Sequence, residues 1–151
     1  MIVPTREPDQ PVLPNFFLQL AHTWQSRAIV RRQACHFGAY GARAMHNLQN
    51  HHRQDGTKPL VHDRKAYTFS FTLNGGELIM YAHHILPPMT DGGEPEHQMT
   101  RVKTFDVNKS HNRLREGVLA FRNARELAKI YRDDFIAAAN SALPGSETES
   151  D

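Results

Sequence analysis

The stretch Ala66-Tyr67-Thr68-Phe69-Ser70-Phe71-Thr72-Leu73-Asn74-Gly75-Gly76, continued by Glu77-Leu78-Ile79-Met80-Tyr81-Ala82-His83-His84-Ile85, decides the fold. Its first eight residues alternate strictly. Tyr67, Phe69, Phe71 and Leu73 share one face and Ala66, Thr68, Ser70 and Thr72 the other, the period of two that a pleated strand imposes. Asn74-Gly75-Gly76 supplies the positive φ values of a tight hairpin turn, and Glu77 to Ile85 is the returning strand.

Downstream, Pro87 to Pro95 is a loop rich in Pro and Gly, and Met99 to Val107 fits a third hairpin-linked strand. Asn108 or Ser110 caps a final helix running to about Ser141, with Leu114, Val118, Phe121, Ala124, Ala128, Tyr131 and Phe135 as its expected buried stripe. Upstream, Asp55-Gly56-Thr57-Lys58-Pro59 is a loop, preceded by a helix from Thr23 or Ser26 to about Asn50. The apolar stripe of that helix is Val30, Ala34, Phe37, Gly41, Met45 and Leu48, and its opposite face carries Arg32, His36, Tyr40, Arg43 and Asn47. Gly38, Ala39, Gly41 and Ala42 let its backbone approach a sheet, at about 1 kcal/mol of lost propensity per glycine. Asn15 to Ala21 is a short apolar run that reads as a buried strand.

The order strand, helix, three strands, helix predicts an α+β or mixed α/β domain: a small, largely antiparallel sheet flanked by two long helices. Prolines at 4, 8, 11 and 14 make residues 1–14 an extended arm, residues 15–141 form one domain, and residues 142–151 form a disordered acidic tail. With 151 residues and 39% hydrophobic composition, the chain can bury a core without a disulfide or metal staple. The single Cys35 excludes an intramolecular disulfide and any CxxC zinc site. No apolar run reaches the roughly 20 residues of a membrane span, and the first residues lack a basic stretch followed by an apolar one. The expected location is intracellular, cytoplasmic or nuclear, without a membrane partner.

Charge is informative in its distribution. The net charge is +2, but Pro144 to Asp151 hold three acids, so the remainder carries 18 basic against 13 acidic residues, or +5. His22 to Arg53 contains Arg27, Arg31, Arg32, Arg43 and Arg53, five histidines, and neither Asp nor Glu. Such a field favours a polyanion or phosphate partner. Arg27, Arg31, Arg32 and Arg43 are the candidate phosphate contacts, weighed against an ordinary solvated face. A second stripe, Arg115, Arg122, Arg125, Lys129 and Arg132, has counter-charges at helical spacing, including Arg122 with Glu126 and Lys129 with Asp133, and reads as a solvated face. Trp24, Tyr40 and Tyr67 have the chemistry to stack on bases, but packing is the more common use of such residues. Cys35 reads as a helix-packing residue.

Three stretches together, Pro14-Asn15-Phe16-Phe17-Leu18, Arg32-Gln33-Ala34-Cys35 with Gly38-Ala39-Tyr40-Gly41-Ala42-Arg43, and Phe121-Arg122-Asn123-Ala124-Arg125 with Ala137-Ala138-Ala139-Asn140, resemble an uncharacterised fungal family with a PD-(D/E)XK nuclease-like fold. The resemblance covers most of residues 14–140 and implies a restriction-endonuclease-like architecture. In such nucleases an Asp on one strand and a Glu-x-Lys on the next hold a divalent metal and orient water for phosphodiester attack. The resemblance puts the Glu-x-Lys at Gln19 and Ala21, where this chain reads Gln19-Leu20-Ala21, and puts the Asp strand upstream of the chain's start. Gln33 matches a glutamine that neighbours such sites. The implied protein is an N-terminally truncated, catalytically inactive relative that retains nucleic-acid binding, and Mg²⁺ enters only if the chain is an active nuclease.

Two alternatives accompany that expectation. A protein-interaction or self-associating module, such as a homodimer, follows if the Phe16 strand is left at an edge or an apolar face is uncovered. A metal-dependent HNH-type nuclease follows if Ala82-His83-His84-Ile85-Leu86-Pro87 with Asp91-Gly92-Gly93 is half of that motif, with His83 or His84 as ligand or base. Against the nuclease stands a simpler expectation, His84 facing inward and His83 outward at a strand end. His51-His52 reads as a solvated helix end.

Overall fold

Alternation and turn chemistry produce the central hairpin as expected: β2 (Ala66–Asn74) pairs antiparallel with β3 (Glu77–Leu86), Asn74 opposite Glu77. Gly75 and Gly76 between them have φ of 57° and 84°. At Gly76 a Cβ would also lie 2.1 Å from the Asn108 amide, so a side chain there would be strained and would displace Asn108. The protein was analysed as a computed structural model that describes residues 13–22 and 24–142. The expected arm and acidic tail lie almost wholly outside the described residues.

Before the hairpin come β1 (Phe16–Leu20) and α1 (Arg27–Gln49); after it come β4 (Glu96–Asp106) and α2 (His111–Ser141). The four strands form one sheet in the order β1-β2-β3-β4, with β1 parallel to β2 and the other pairs antiparallel. The fold is therefore α+β, a four-stranded mixed sheet with two long helices. Each helix starts where a serine releases the chain: the Ser26 hydroxyl accepts from the Ile29 N–H and the Ser110 hydroxyl from the Arg113 N–H. No helix of the described residues is long and apolar enough to cross a membrane.

Both faces of the sheet are covered. On one, α2 sets Ala124 and Ala128 over Phe69, Phe71, Leu78, Ala82 and Phe105. Phe121 completes this core with edge-to-face contacts to Phe16 and Phe71 at 5.0 and 5.1 Å. On the other face α1 buries Val30, Ala34, Gly38, Gly41, Ala42 and Met45. Its glycines are required by close approach. A Cβ on Gly38 would sit 1.9 Å from His83 Cε1, and one on Gly41 2.9 Å from Thr68 Cγ2 and from the Pro14 carbonyl. The helices meet where Met45, Leu48 and Ala139 pack with Tyr67, Tyr131 and Phe135. Buried Asn15 ties β1 to both neighbours, donating to the Tyr67 carbonyl at 2.9 Å and the Ala128 carbonyl at 2.8 Å.

The expected stripes need three corrections. Leu114 and Val118 are 43% and 55% exposed, because α2 turns the smaller Gly117, Ala124, Ala128 and Ala139 onto its partners. At Gly117 a Cβ would already lie 3.2 Å from Leu78 and Val107 side-chain atoms, so the helix approaches there and its leucine and valine flank the contact. Phe37 is similarly displaced by Gly38 and stacks on Phe17 at 5.9 Å at the margin of α1. Finally, the first strand is only half buried, since β1 is an edge strand with Leu18 and Leu20 exposed.

Candidate nucleic-acid interface

Pairing in the sheet places every second residue of β4 on the α1 side: Thr104 opposite Ile79, Arg101 opposite Tyr81, Met99 opposite His83 and His97 opposite Ile85. The spacing survives one break, between Met80 and Tyr81, at which Val102 is the extra residue of β4. This edge strand and α1 leave an open seam between them. At one end Arg27 and Arg31 of α1 face Arg101 and Thr104 of β4 around a chamber of about 310 Å³. Arg31 and Arg32 then border a second chamber of about 380 Å³ with Cys35 and Met99. Farther along, Arg43 and Asn47 border a smaller hollow of about 150 Å³ with Glu94 and Pro95.

All four sequence-predicted arginines thus lie along one seam, about 24 Å from Arg27 to Arg43 at the rise of an α-helix. A fifth, Arg101, comes from the opposite wall. Arg27 makes a 3.5 Å ion pair with Glu77, with its own side chain 75% exposed, so solvent screens it. Among the described residues, Arg31, Arg32, Arg43 and Arg101 make no ion pair. On α2, by contrast, Arg113 pairs with Glu116, Arg125 with Glu126, and both Lys129 and Arg132 with Asp133. That face is partly self-compensated: Glu126 is taken by Arg125 in place of Arg122, and neither Arg115 nor Arg122 makes an ion pair among the described residues.

Of the aromatic candidates, Tyr67 packs edge-to-face on Tyr131 and Phe135 and donates its hydroxyl proton to Asp63. Trp24 and Tyr40 are 88% and 73% exposed, contrary to the expectation that they pack. Trp24 precedes the Ser26 cap, and Tyr40 lies outside the buried stripe of α1. Cys35 is half buried and borders the seam.

Of the positions the resemblance singles out, Gln19 lies on β1, Ala21 just after it and Gln33 on α1. Gln19 is opposite Thr72, the Ala21 N–H donates to the Leu73 carbonyl at 2.9 Å, and Gln33 is half buried on α1. Among the described residues no three His, Cys, Asp or Glu side chains are grouped so as to hold a metal ion. His51 and His52 are exposed on a short 3-10 turn after α1.

The two strand histidines are placed opposite to the simpler expectation. His83 is buried beneath Gly38, while His84 is half buried with Nδ1 3.2 Å from the Arg64 carbonyl. Ser70 Oγ lies 2.7 Å from His83 Nε2, and His83 Nδ1 lies 3.0 Å from Nε2 of His97, whose ring stacks on it at 5.2 Å. Two proton arrangements satisfy this chain: Ser70 O–H donates to His83 and His83 to His97, or His97 donates to His83 and His83 to Ser70. Burial pushes His83 down to about 3, helped by His97 and His84. His97 is also lowered, by burial first, then by Arg43 and His84. Ser70 is fully buried and unavailable to a substrate; the chain's outer end is His97, beside the seam.

A second histidine pair, His46 stacked on His62 at 4.8 Å, borders a cavity of about 10 Å³ with Asp63 and Tyr67. That is room for about one water. Burial, then His62, lowers the His46 pKa.

Sequence inspection missed Arg101, Ser70 and His97. Ser70 and His97 carry no local signal, because their relation to His83 arises from strand pairing. Arg101 sits on a strand whose face is assigned only once its register and the Val102 break are known. Compared with protein-family models, curated proteins and solved structures, the chain gives no match.

Proposed function

We propose that the seam between α1 and β4 binds nucleic acid by its phosphates and does not cleave it. The observation that carries this is the convergence of Arg31 and Arg101, from two different elements, on one open chamber whose lining carboxylate, Glu77, is engaged by Arg27. Guanidinium groups grip phosphate oxygens in a bidentate manner, and facing groups hold one backbone from two sides. Absence of cleavage is supported by the neutral Gln19-Leu20-Ala21, where the PD-(D/E)XK resemblance would require a carboxylate and a lysine. Labelled DNA or RNA followed by fluorescence anisotropy tests the proposal. Binding is expected at low salt, weakened at least tenfold by Arg31→Ala with Arg32→Ala, with the nucleic acid intact after incubation with Mg²⁺. Absence of binding at low salt overturns it.

The β1 edge favours a second reading, self-association. Phe16-Phe17-Leu18-Gln19-Leu20 carries no charge and no proline, and Leu18 and Leu20 are 41% and 58% exposed. Sheet edges are ordinarily defended by charges or bulges. The β4 edge has both, with Glu96, Arg101, Lys103 and Asp106 and the break at Val102. Antiparallel pairing of β1 with a second copy about Leu18 would join apolar side chains without like-charge repulsion. Light scattering should therefore find a dimer that Leu20→Lys converts to a folded monomer. A wild-type monomer at 100-micromolar-scale concentration, or a dimer indifferent to Leu20→Lys, refutes this interface.

A further inference from the structure

We propose that the nucleic acid held by the seam is single-stranded, with unpaired bases stacking on Trp24 and Tyr40. This rests on the nucleic-acid reading above and adds the class of ligand. Two independent features support it, the exposure of the aromatics and the shape of the seam.

Exposure comes first. An indole ordinarily gains a large stabilisation from burial, yet Trp24 is 88% exposed and Tyr40 73% exposed. Trp24 stands three residues before Arg27, which lines the chamber it shares with Arg101. Tyr40 stands three residues before Arg43, and with Arg32 and His36 forms one helical row of polar and aromatic side chains. Tyr40 and His36 are loosely associated, with ring centroids 6.4 Å apart, which leaves the phenol faces open. One aromatic thus precedes the arginines and the other stands between Arg32 and Arg43. A positively charged groove that tracks the backbone, combined with aromatic platforms that take the bases, is how single strands are held without sequence preference.

Shape is the second feature. Arg31 and Arg101 stand on opposite walls, so the phosphates they contact must run between helix and strand. The chambers of about 310 and 380 Å³ are in the range of pockets for small molecules, the scale of a nucleotide. A duplex also keeps its bases paired and stacked internally, so it offers no base face to an exposed indole.

Trp24 is the single tryptophan of the chain, so its intrinsic fluorescence reports this contact directly. The test uses the full chain, an oligo(dT) of roughly 15 nucleotides, within the span covered by such sites, and a labelled duplex of equal length. Oligo(dT) should quench Trp24 emission with the same midpoint as the anisotropy change, and should outcompete the duplex. Trp24→Ala and Tyr40→Ala, both at exposed positions, should each weaken oligo(dT) binding about 5- to 150-fold. Trp24→Phe should restore most of the affinity, and duplex binding should be unmoved by all three changes. Oligo(dT) binding with silent Trp24 emission and no loss in Trp24→Ala overturns the stacking proposal and leaves the phosphate-binding seam standing. A duplex that competes equally well has the same effect. If neither nucleic acid binds, both proposals fall.

Discussion

Gly38 and His83 show how one residue fixes another's chemistry. With no side chain at 38, α1 settles onto the imidazole, which is buried and hydrogen-bonded to Ser70 and His97. Gly38→Ala improves helix propensity by about 1 kcal/mol, but its Cβ would meet the ring at 1.9 Å. Overpacking against a confined ring should dominate, lowering stability by about 1–3 kcal/mol in urea denaturation. An unchanged or raised midpoint would show that the contact is easily relieved. The same burial sets a pH dependence. His83 titrates near 3 when folded and near its ordinary 6.5 when unfolded, so below pH 6.5 the unfolded chain binds more protons. Stability should be unaffected by His83 above pH 6.5 and fall by up to about 1.4 kcal/mol per pH unit below it, towards pH 3. His46 and His97, also lowered, act in the same direction. Urea midpoints between pH 7.5 and 5 should fall less steeply in His83→Gln than in wild type; equal slopes would remove His83 as a cause. Alternation in the sequence correctly separates His83 from His84 but does not say which is covered. Helices lie on both faces, and His83 happens to lie under the glycine.

At the scale of elements, periodicity made most of the fold legible. The period-two run and its Asn-Gly-Gly turn became β2 and β3, and both long helices begin at serines that were candidate caps. What periodicity could not reveal was the rotation of a helix within its stripe. Close approach at Gly117 favours small residues over larger ones at the contact of α2, so Leu114 and Val118 flank the core although their spacing is ideal for it. The basic row on α1 was equally legible, because a helix presents residues three and four apart together. Its partner on β4 was not, since strand order and register brought Arg101 to it. The two basic helices also differ in a way composition conceals. Arg113, Arg125 and Arg132 of α2 pair with acids on their own helix, and no arginine of α1 does so among the described residues.

Across the whole molecule, the two proposed surfaces lie at opposite edges of the sheet. The β4 edge adjoins the arginine seam, and the β1 edge exposes Leu18 and Leu20. The two proposed surfaces are therefore compatible. Pairing through β1 would leave both seams free at the far edges of an eight-stranded sheet, and a two-seam assembly gains affinity for one long strand through effective concentration. The modest net charge of +2 averages over this arrangement. The salt dependence of oligonucleotide binding, compared between wild type, Arg101→Ala and Arg125→Ala, an arginine of α2 paired with Glu126, tests the seam most directly. Loss of Arg101 should weaken binding and reduce the slope of log K against log salt by about 0.7 to 0.9, with Arg125→Ala matching wild type. Equal slopes in all three proteins, or a loss confined to Arg125→Ala, would contradict the assignment of nucleic-acid binding to the α1–β4 seam.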